Sequence, residues 1–484
     1  MWAISFPLVQ SKTSIVGKNS SYLTHTSHSL AATLSDRWQQ LCAQYLPIAP
    51  ENSIWRHSRT RAPLDPEQGW KLHLSATILT ANQLLERVGP FLQTHKAMFK
   101  GPVSLHELNK INSGVNYGYT QIGKFLTVYP ETTRQALYFA KSLHELTLGI
   151  DAPVVPFDLR FKQGGCVYYR YGAFHQQEMR NEDGTYTLAV RSPEGELVPD
   201  LRASERAMPD WVSDPFIERR ARHQTSVAEC HLSTNYRVFR ALTQRGKGGV
   251  YQAVDLGAQP LRLCILKEGR KNGEPDWDGR DGYWRVKNEN ETLHALLALG
   301  VDVPRVYSSF EVNGNYYLVT ELIEGPSLQS LLNRRRRRLP LNRALNYARQ
   351  LANLLTRLHT NGWAWRDCKP ANLIVTGDGS LRPLDFEGAC PLHHPDPLPW
   401  GSHGFVPPRS GKESGEQTRA SDDLYALGAT IYYMLTGSFP TLPSPTPIGK
   451  LRRNVPGNVC RIVDELLSHE AHRRPCALCV ARSL

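Results

Sequence analysis

Long hydrophobic runs are missing from this 484-residue chain: no stretch approaches the ~20 uncharged apolar residues needed to span a bilayer. Its opening, Met1 to Ser20, starts apolar but has no basic segment before the apolar stretch and no clear cleavage site, so no secretory signal is expected. Low-complexity tracts and internal repeats are absent too, which leaves ordinary globular domains. Cysteine is scarce, odd in number at nine, and scattered, which suits free thiols in a reducing compartment. Cys476 and Cys479 form the single close pair, with no second pair or histidine cluster at zinc spacing, so a metal site is not expected there. No zinc finger, aromatic RNP strand or GXXG loop is present, and a nucleic-acid partner is not expected. The default expectation is a cytoplasmic protein.

What is present is an ordinary composition, 40% hydrophobic and 21% charged, with an excess of basic residues. Fifty-seven Lys and Arg stand against 45 Asp and Glu, a formal charge of +12, which favours nucleotides, phosphorylated groups or acidic peptides as partners. The run Arg334 to Arg338 reads either as a solvated helix end or loop, or as a docking patch for an acidic peptide segment.

The length predicts two to four domains. Residues 1–35 are rich in Ser and Thr without strong periodicity, and an irregular lead-in is expected. A mixed α/β segment follows over 36–205. Gly69 to Ala76 alternates as a strand, and Thr80 to Gln93 has helical spacing with Thr80 as a candidate cap. Lys124 to Tyr129 and Cys166 to Gly172 read as further strands, and Glu131 to Leu148 as a helix. Asn181 to His223 is turn-rich and charged, a connector with its own hairpin, with a linker placed at 206–230. Over 231–484 strands at Tyr236–Ala253 and Arg262–Glu268 precede a helix (Arg285–Leu299), a strand pair and a mostly helical region.

Within that last region, Asp367-Cys-Lys-Pro-Ala-Asn372 followed by Leu384-Asp-Phe-Glu387 resembles the catalytic loop and metal-binding turn of the protein kinase superfamily. The resemblance implies a base (Asp367), a lysine that neutralises the transferring phosphoryl group (Lys369), and two Mg²⁺ ligands, Asn372 and Asp385. Lys267 ends the apolar strand Leu263-Cys-Ile-Leu-Lys and would grip ATP phosphates, with Glu291 on the following helix as its expected ion-pair partner. Thr320 to Gly325 reads as a hinge for adenine, Gly401 to Pro408 as the segment that seats peptide, Asp423 to Gly428 as the helix supporting the catalytic loop, and Arg474 as a structural arginine. One of these residues alone is uninformative. Six elements in order over some 200 residues are specific.

Two departures stand out. The phosphate-covering loop is Thr243-Gln-Arg-Gly-Lys-Gly-Gly-Val-Tyr251, where only Gly248 keeps its place; Gly248 and Val250 are the expected nucleotide contacts, and Lys247 is a further candidate. Asp-Phe-Glu also replaces Asp-Phe-Gly, so switching by flipping that turn is not expected.

Loops ending in Gly-Gly-Val-Tyr and Asp-hydrophobic-Glu-Gly-Ala turns look like the kinase domains of class III and class IV lanthionine synthetases. Those bacterial enzymes dehydrate Ser and Thr of ribosomally made peptides. In that family a phospho-Ser/Thr lyase domain precedes the kinase. The N-terminal half resembles one through Gly69–Ala76, Met98-Phe-Lys100, Gly123–Pro130, Asp158-Leu-Arg160 and Tyr168–Gly172. The resemblance implies an α+β chain, with an N-terminal phosphothreonine-lyase-like α/β domain followed by a bilobal protein-kinase-like domain. It makes Lys100 the base that takes the Cα proton and His73 the acid for the leaving phosphate. Lys71, on the same strand face as His73, and Arg170 would hold phosphate, with Lys124 and Arg160 in the same cluster. Taken singly, Lys71, Lys124 and Arg160 are as readily surface charges, and His73 a structural histidine. A lysine base must be neutral, which requires cationic neighbours.

The reading that follows is a bifunctional peptide dehydratase using ATP and Mg²⁺ on a precursor peptide with a leader segment. Family synthetases carry a cyclase domain after the kinase, whereas this sequence stops about ten residues after Arg474. Either ring closure belongs to a separate cyclase, the product stays unringed, or the sequence is a piece of a longer one. The alternative is a regulatory Ser/Thr kinase whose N-terminal domain is a sensor.

Overall fold

The computed structural model describes residues 25–200, 208–216, 235–334, 338–396, 400–408, 419–441 and 445–484. They divide into two compact units, one formed by His25–Pro326 with Ile374–Ala389 and the other by Ser327–Leu373 with Cys390–Leu484.

The first unit opens with helix α1 (His25–Tyr45), where the sequence led us to expect irregular chain up to residue 35. Trp38, Leu41, Cys42 and Tyr45 recur at helical spacing and are buried, and each such side chain contributes roughly 1.5–3 kcal/mol. The sparse apolar residues of the first turns hid the periodicity from the sequence. A six-stranded sheet follows, with strands β1 (Trp55–His57), β2 (Gln68–Leu74), β3 (Met98–Pro102), β4 (Leu126–Tyr129), β5 (Leu159–Arg160) and β6 (Val167–Ala173) in the order β1-β3-β4-β2-β6-β5. All five pairings are antiparallel. Helices α2 (Ala81–Thr94), α3 (Leu105–Ser113) and α4 (Thr133–Leu146) connect them.

Side-chain caps form at two of these helices. Ser104 Oγ accepts from Glu107 N–H at the start of α3, and Thr132 Oγ1 from Gln135 N–H at the start of α4. Thr80 precedes α2 without capping it: its hydroxyl accepts from Thr77 N–H (3.0 Å) and donates to Asp151 O (3.0 Å). Strands β7 (Glu178–Arg180), β8 (Tyr186–Arg191) and β9 (Leu197–Pro199) form the expected hairpin with one strand added. Beyond it, Phe216 is fully buried, its ring 4.1 Å from that of Tyr169, and Tyr169 OH donates to Asp214 (3.0 Å). Residues 214–216 therefore pack against the N-terminal sheet; the expected linker on either side of 208–216 lies outside the described residues.

The same unit continues into a five-stranded antiparallel sheet, β10 (Tyr236–Arg245), β11 (Gly248–Asp255), β12 (Arg262–Gly269), β13 (Val306–Val312) and β14 (Asn315–Glu321), in the order β10-β11-β12-β14-β13. Helix α5 (Gly282–Ala298), capped by Asp281 on Trp284 N–H, packs against β12 and β14. The second unit is helical around α6 (Leu328–Arg334), α7 (Leu341–Thr360), α8 (Ala420–Thr436), α9 (Gly457–Leu466) and α10 (Ala477–Ser483). Helix α8 is buried along nearly its whole length, from Asp423 to Leu435. The chain is thus mixed α+β, an N-terminal α/β domain followed by a kinase-type sheet and helices, as its sequence implies. No helix among the described residues is long and apolar enough to cross a membrane.

Candidate active site

Strand register sets out the N-terminal cluster. His57 lies opposite Lys100, Lys100 opposite Thr127, Thr127 opposite His73, His73 opposite Tyr168, and Tyr168 opposite Arg160. One residue from each of six strands thus forms a single row. Directly paired residues point to the same face, so all six side chains share it. Lys71, two residues before His73 and paired with Arg170, joins that face one step along. The opposite face carries Leu72, Phe99, Val128 and Tyr169, all buried. Lys100 and His73 are two strands apart, which at the usual spacing puts their backbones about 10 Å from each other.

The polar face is itself buried: His73, Thr127, Tyr168 and Arg170 are each at most 4% exposed. Its charges are arranged around Asp158. That carboxylate meets His73 Nδ1 through one oxygen and Lys124 Nζ at 3.3 Å through the other. Burial alone would raise Asp158, but Lys124, His73 and Arg170 more than offset it and hold the carboxyl well below its ordinary range. His73 is lowered as well, but through burial itself. Burial pushes it down, Asp158 opposes, and because Lys124 already neutralises that carboxylate while Lys71 adds repulsion, the imidazole stays neutral at rest.

The remaining cations each have a local partner. Arg170 Nη2 donates to Asp200; Arg160 Nε donates to Tyr168 OH at 2.9 Å; Lys100 Nζ lies 4.3 Å from the centre of the Trp55 ring. Burial and Lys100 together lower His57. Every residue singled out for this pocket is therefore on or beside one sheet face, and the cations outnumber Asp158 and Asp200. Sequence reasoning assigned no role to Asp158, Asp200, Thr127, Tyr168 or His57. Asp158 stood within a segment quoted for the family likeness, and alternation from His73 through the paired strands gives Thr127, Tyr168 and His57 once register is known; Asp200, beyond β9, had no such signal.

In the five-stranded sheet, Lys267 on β12 faces Val250 on β11. Its ion-pair partner is Glu289, with both carboxylate oxygens at 2.6 Å, and not the expected Glu291. The reason is helical phase. Val286, Glu289, Leu293 and Leu296 share the buried face of α5, whereas Glu291, two residues on, turns to solvent. Burial works against the charge on Lys267, but Glu289 and Asp385 outweigh it and raise its pKa. Glu289 Oε1 also accepts Phe386 N–H (3.1 Å), which ties α5 to the Asp-Phe-Glu turn.

That turn explains both departures of the sequence together. Strands β10 and β11 are joined by the two residues Gly246 and Lys247, and Lys247 Nζ forms an ion pair with Glu387, the residue in place of the usual glycine. Lys247 outweighs the burial that would raise Glu387, so its carboxyl is held low. Asn288 Nδ2 donates to Glu387 O at 3.0 Å. Burial and then Glu387 raise Asp385 above the ordinary carboxylate range. Gly248 has φ +149°, and a Cβ there would fall 1.7 Å from Glu268 O, so no other residue fits without moving the backbone.

In the second unit Asp367 is the centre of a hydrogen-bonded set. Its Oδ2 accepts from Lys369 Nζ (2.6 Å) and Asn372 Nδ2 (2.8 Å), and its Oδ1 from Ser402 Oγ (2.9 Å). Ser402 comes from the segment read as seating peptide. Asp423 braces this loop, accepting Trp365 N–H (2.9 Å) and Arg366 N–H (2.7 Å). Arg474 Nη1 donates to Ser421 O (2.8 Å) at the start of α8. Arg335 to Arg337 of the arginine run lie outside the described residues.

Among the described residues no cluster of three or more His, Cys, Asp or Glu side chains could hold a metal by itself. The donor chemistry nevertheless suits magnesium, which takes one or two protein oxygens and completes its shell with water and phosphate. Asp385 fits that demand: a buried carboxylate crowded by Glu387 and Glu289 is the environment a divalent cation relieves.

Two family models match the chain in succession. Residues 48–228 match the family described as RamC, N-terminal domain, and residues 238–473 match the protein kinase domain. The chain is 32% identical over 361 residues to a probable SapB synthase of Streptomyces coelicolor, an alignment covering 72% of this chain and 37% of that protein. It is 29% identical over 219 residues to the serine/threonine-protein kinase PknA of Mycobacterium tuberculosis, covering 43% of this chain and 48% of the kinase. Serine/threonine-protein kinase F of Synechocystis is 28% identical over 236 residues, covering 43% of this chain and 44% of the kinase. The chain spans less than half the length of each of these curated relatives.

Proposed function

We propose that this chain, which carries a RamC-type N-terminal domain and a protein kinase domain, dehydrates Ser and Thr of a ribosomally made precursor peptide in two steps. This is the chemistry implied by its likeness to class III and class IV lanthionine synthetases. In the first step the kinase domain moves the γ-phosphoryl group of ATP to a side-chain hydroxyl. Asp367 accepts the hydroxyl proton, Lys369 offsets phosphoryl charge, and Lys267, ordered by Glu289, holds the ATP phosphates. By the same likeness, Asn372 and Asp385 would be the residues that hold Mg²⁺, which would supply charge to offset that of the phosphates.

In the second step the N-terminal domain removes the phosphate. Lys100 takes the Cα proton, the electron pair forms the Cα–Cβ double bond, and the Cβ–Oγ bond breaks. Phosphate departs with a proton from His73, leaving dehydroalanine from Ser or dehydrobutyrine from Thr. Lys71, Lys124, Arg160 and Arg170 are the phosphate-holding cations. A bound phosphate dianion adds the negative charge that the resting pocket lacks, which raises His73 towards the protonated form its role requires.

The row that runs from Lys100 through Thr127 to His73 on one buried, cationic sheet face is the observation that supports this reading most. The test is to supply a synthetic peptide carrying phosphoserine, without nucleotide. Conversion to the dehydro form supports the lyase step, and phosphopeptide recovered intact contradicts it.

A further inference from the structure

Resting on that two-step reading, we infer that the turn covering the nucleotide phosphates and the phosphate-eliminating pocket are coupled through Asn112, so that each site senses the other's occupancy. Both lie in the same compact unit. Gly246, at the tip of the β10–β11 turn, donates its N–H to Ser113 O at 3.0 Å, at the end of α3. The approach is so close that a Cβ on Gly246 would fall 1.8 Å from Asn112 O, so glycine there is a condition of the contact. Two further contacts brace it: the Arg270 guanidinium lies 5.4 Å from the Tyr119 ring centre, and Asn272 Nδ2 donates to Asp151 (3.2 Å). Arg270 N–H in turn holds Lys247 O at 2.9 Å.

On the other side, the buried side chain of Asn112 bridges the segments flanking two of the pocket's strands. Its Nδ2 donates to Ala76 O (2.9 Å), just past the end of β2, and its Oδ1 accepts Gly123 N–H (3.1 Å), just before β4. The next residue is Lys124, which is bonded to Asp158 and through it to His73. Asn112 is thus a positioning residue for Lys124, and its own main chain is where the kinase turn docks.

The nucleotide supplies the difference that coupling requires. At rest Lys247 is paired with Glu387. Phosphates arriving beneath the turn compete with that carboxylate for the lysine, and the adjoining Gly246 carries any shift of the turn into the end of α3. By linkage, phosphopeptide in the lyase pocket must alter nucleotide affinity by the same factor with which nucleotide alters phosphopeptide affinity.

The test measures ADP–Mg²⁺ affinity with and without a synthetic phosphoserine peptide, in the Lys100→Ala protein so that the peptide stays intact. A change of about tenfold is expected. Repeating it in Lys100→Ala with Asn112→Ala added should collapse the ratio towards one. Should Asn112→Ala fail to fold, Tyr119→Ala, which removes the Arg270 contact, serves in its place and should reduce the ratio. An ADP affinity indifferent to phosphopeptide, in a protein whose unsubstituted form eliminates phosphate, overturns the coupling and leaves the dehydratase reading intact. Absence of elimination by the unsubstituted protein under any nucleotide condition overturns both.

Discussion

Lys247 and Glu387 form an ion pair between the phosphate-covering turn and the Asp-Phe-Glu segment, so two residues that each break a kinase pattern satisfy one another. Glu387 is held low by that lysine although the site is largely desolvated. Truncating either partner leaves the other charge in a poorly solvated place. Lys247→Ala or Glu387→Ala should therefore each lower unfolding stability by about 2 kcal/mol. The double substitution should cost less than the sum, because the stranded charge is then gone. Chemical denaturation of the four proteins measures it; strict additivity would show that the pair is not a unit.

Glu289, rather than Glu291, pairs with Lys267, the lysine proposed to hold the ATP phosphates. Glu289→Gln should lower peptide phosphorylation by about 100-fold or more, because Lys267 loses its counter-charge and Phe386 N–H a charged acceptor. Glu291→Gln, on the exposed side of the same helix, should change it little. Initial rates of phosphorylation of one peptide by the two variants distinguish the assignments.

Acid should destabilise the fold through His73. Its folded-state pKa lies below the unfolded value, so the unfolded chain binds the proton first and stability falls as pH drops through about 6.5. Above that range neither state is protonated there and the effect vanishes. His73→Gln should flatten the decline between about pH 6.5 and 5 when melting is followed at several pH values. An unchanged slope would show that His73 is not held neutral.

Asp158 orients His73 and anchors Lys124 at once. Asp158→Asn should slow phosphate elimination by about 100-fold or more while leaving phosphorylation near its original rate, so phosphopeptide accumulates. Parallel assays of the two half-reactions check this, and equal loss in both would point to general misfolding.

Much of this was legible in the sequence, for reasons that differ by element. Strand positions around Lys71 and His73 follow from the alternation of polar and apolar residues, which survives although both sheet faces are largely buried. The kinase elements were legible because their order and spacing are set by chemistry that tolerates few substitutions, as at Asp367, Lys369 and Asn372. Glu291 in place of Glu289 is the characteristic failure: two acidic residues on one helix are separated only by which face turns inward, and no local rule fixes that face before β12 is packed against it. The pairing of Lys247 with Glu387 was out of reach for a related reason, since the two stand 140 positions apart in the chain. Helix α1 was missed because its early turns carry too few apolar residues to reveal a period.

The central claim is that one polypeptide both installs and expels a phosphoryl group, and product mass after co-expression with a precursor peptide tests it most directly. The unsubstituted protein should yield peptide lighter by one water for each modified Ser or Thr. Lys100→Ala should yield phosphopeptide, and Asp385→Ala unmodified peptide. Phosphopeptide as the stable product of the unsubstituted protein would contradict the account.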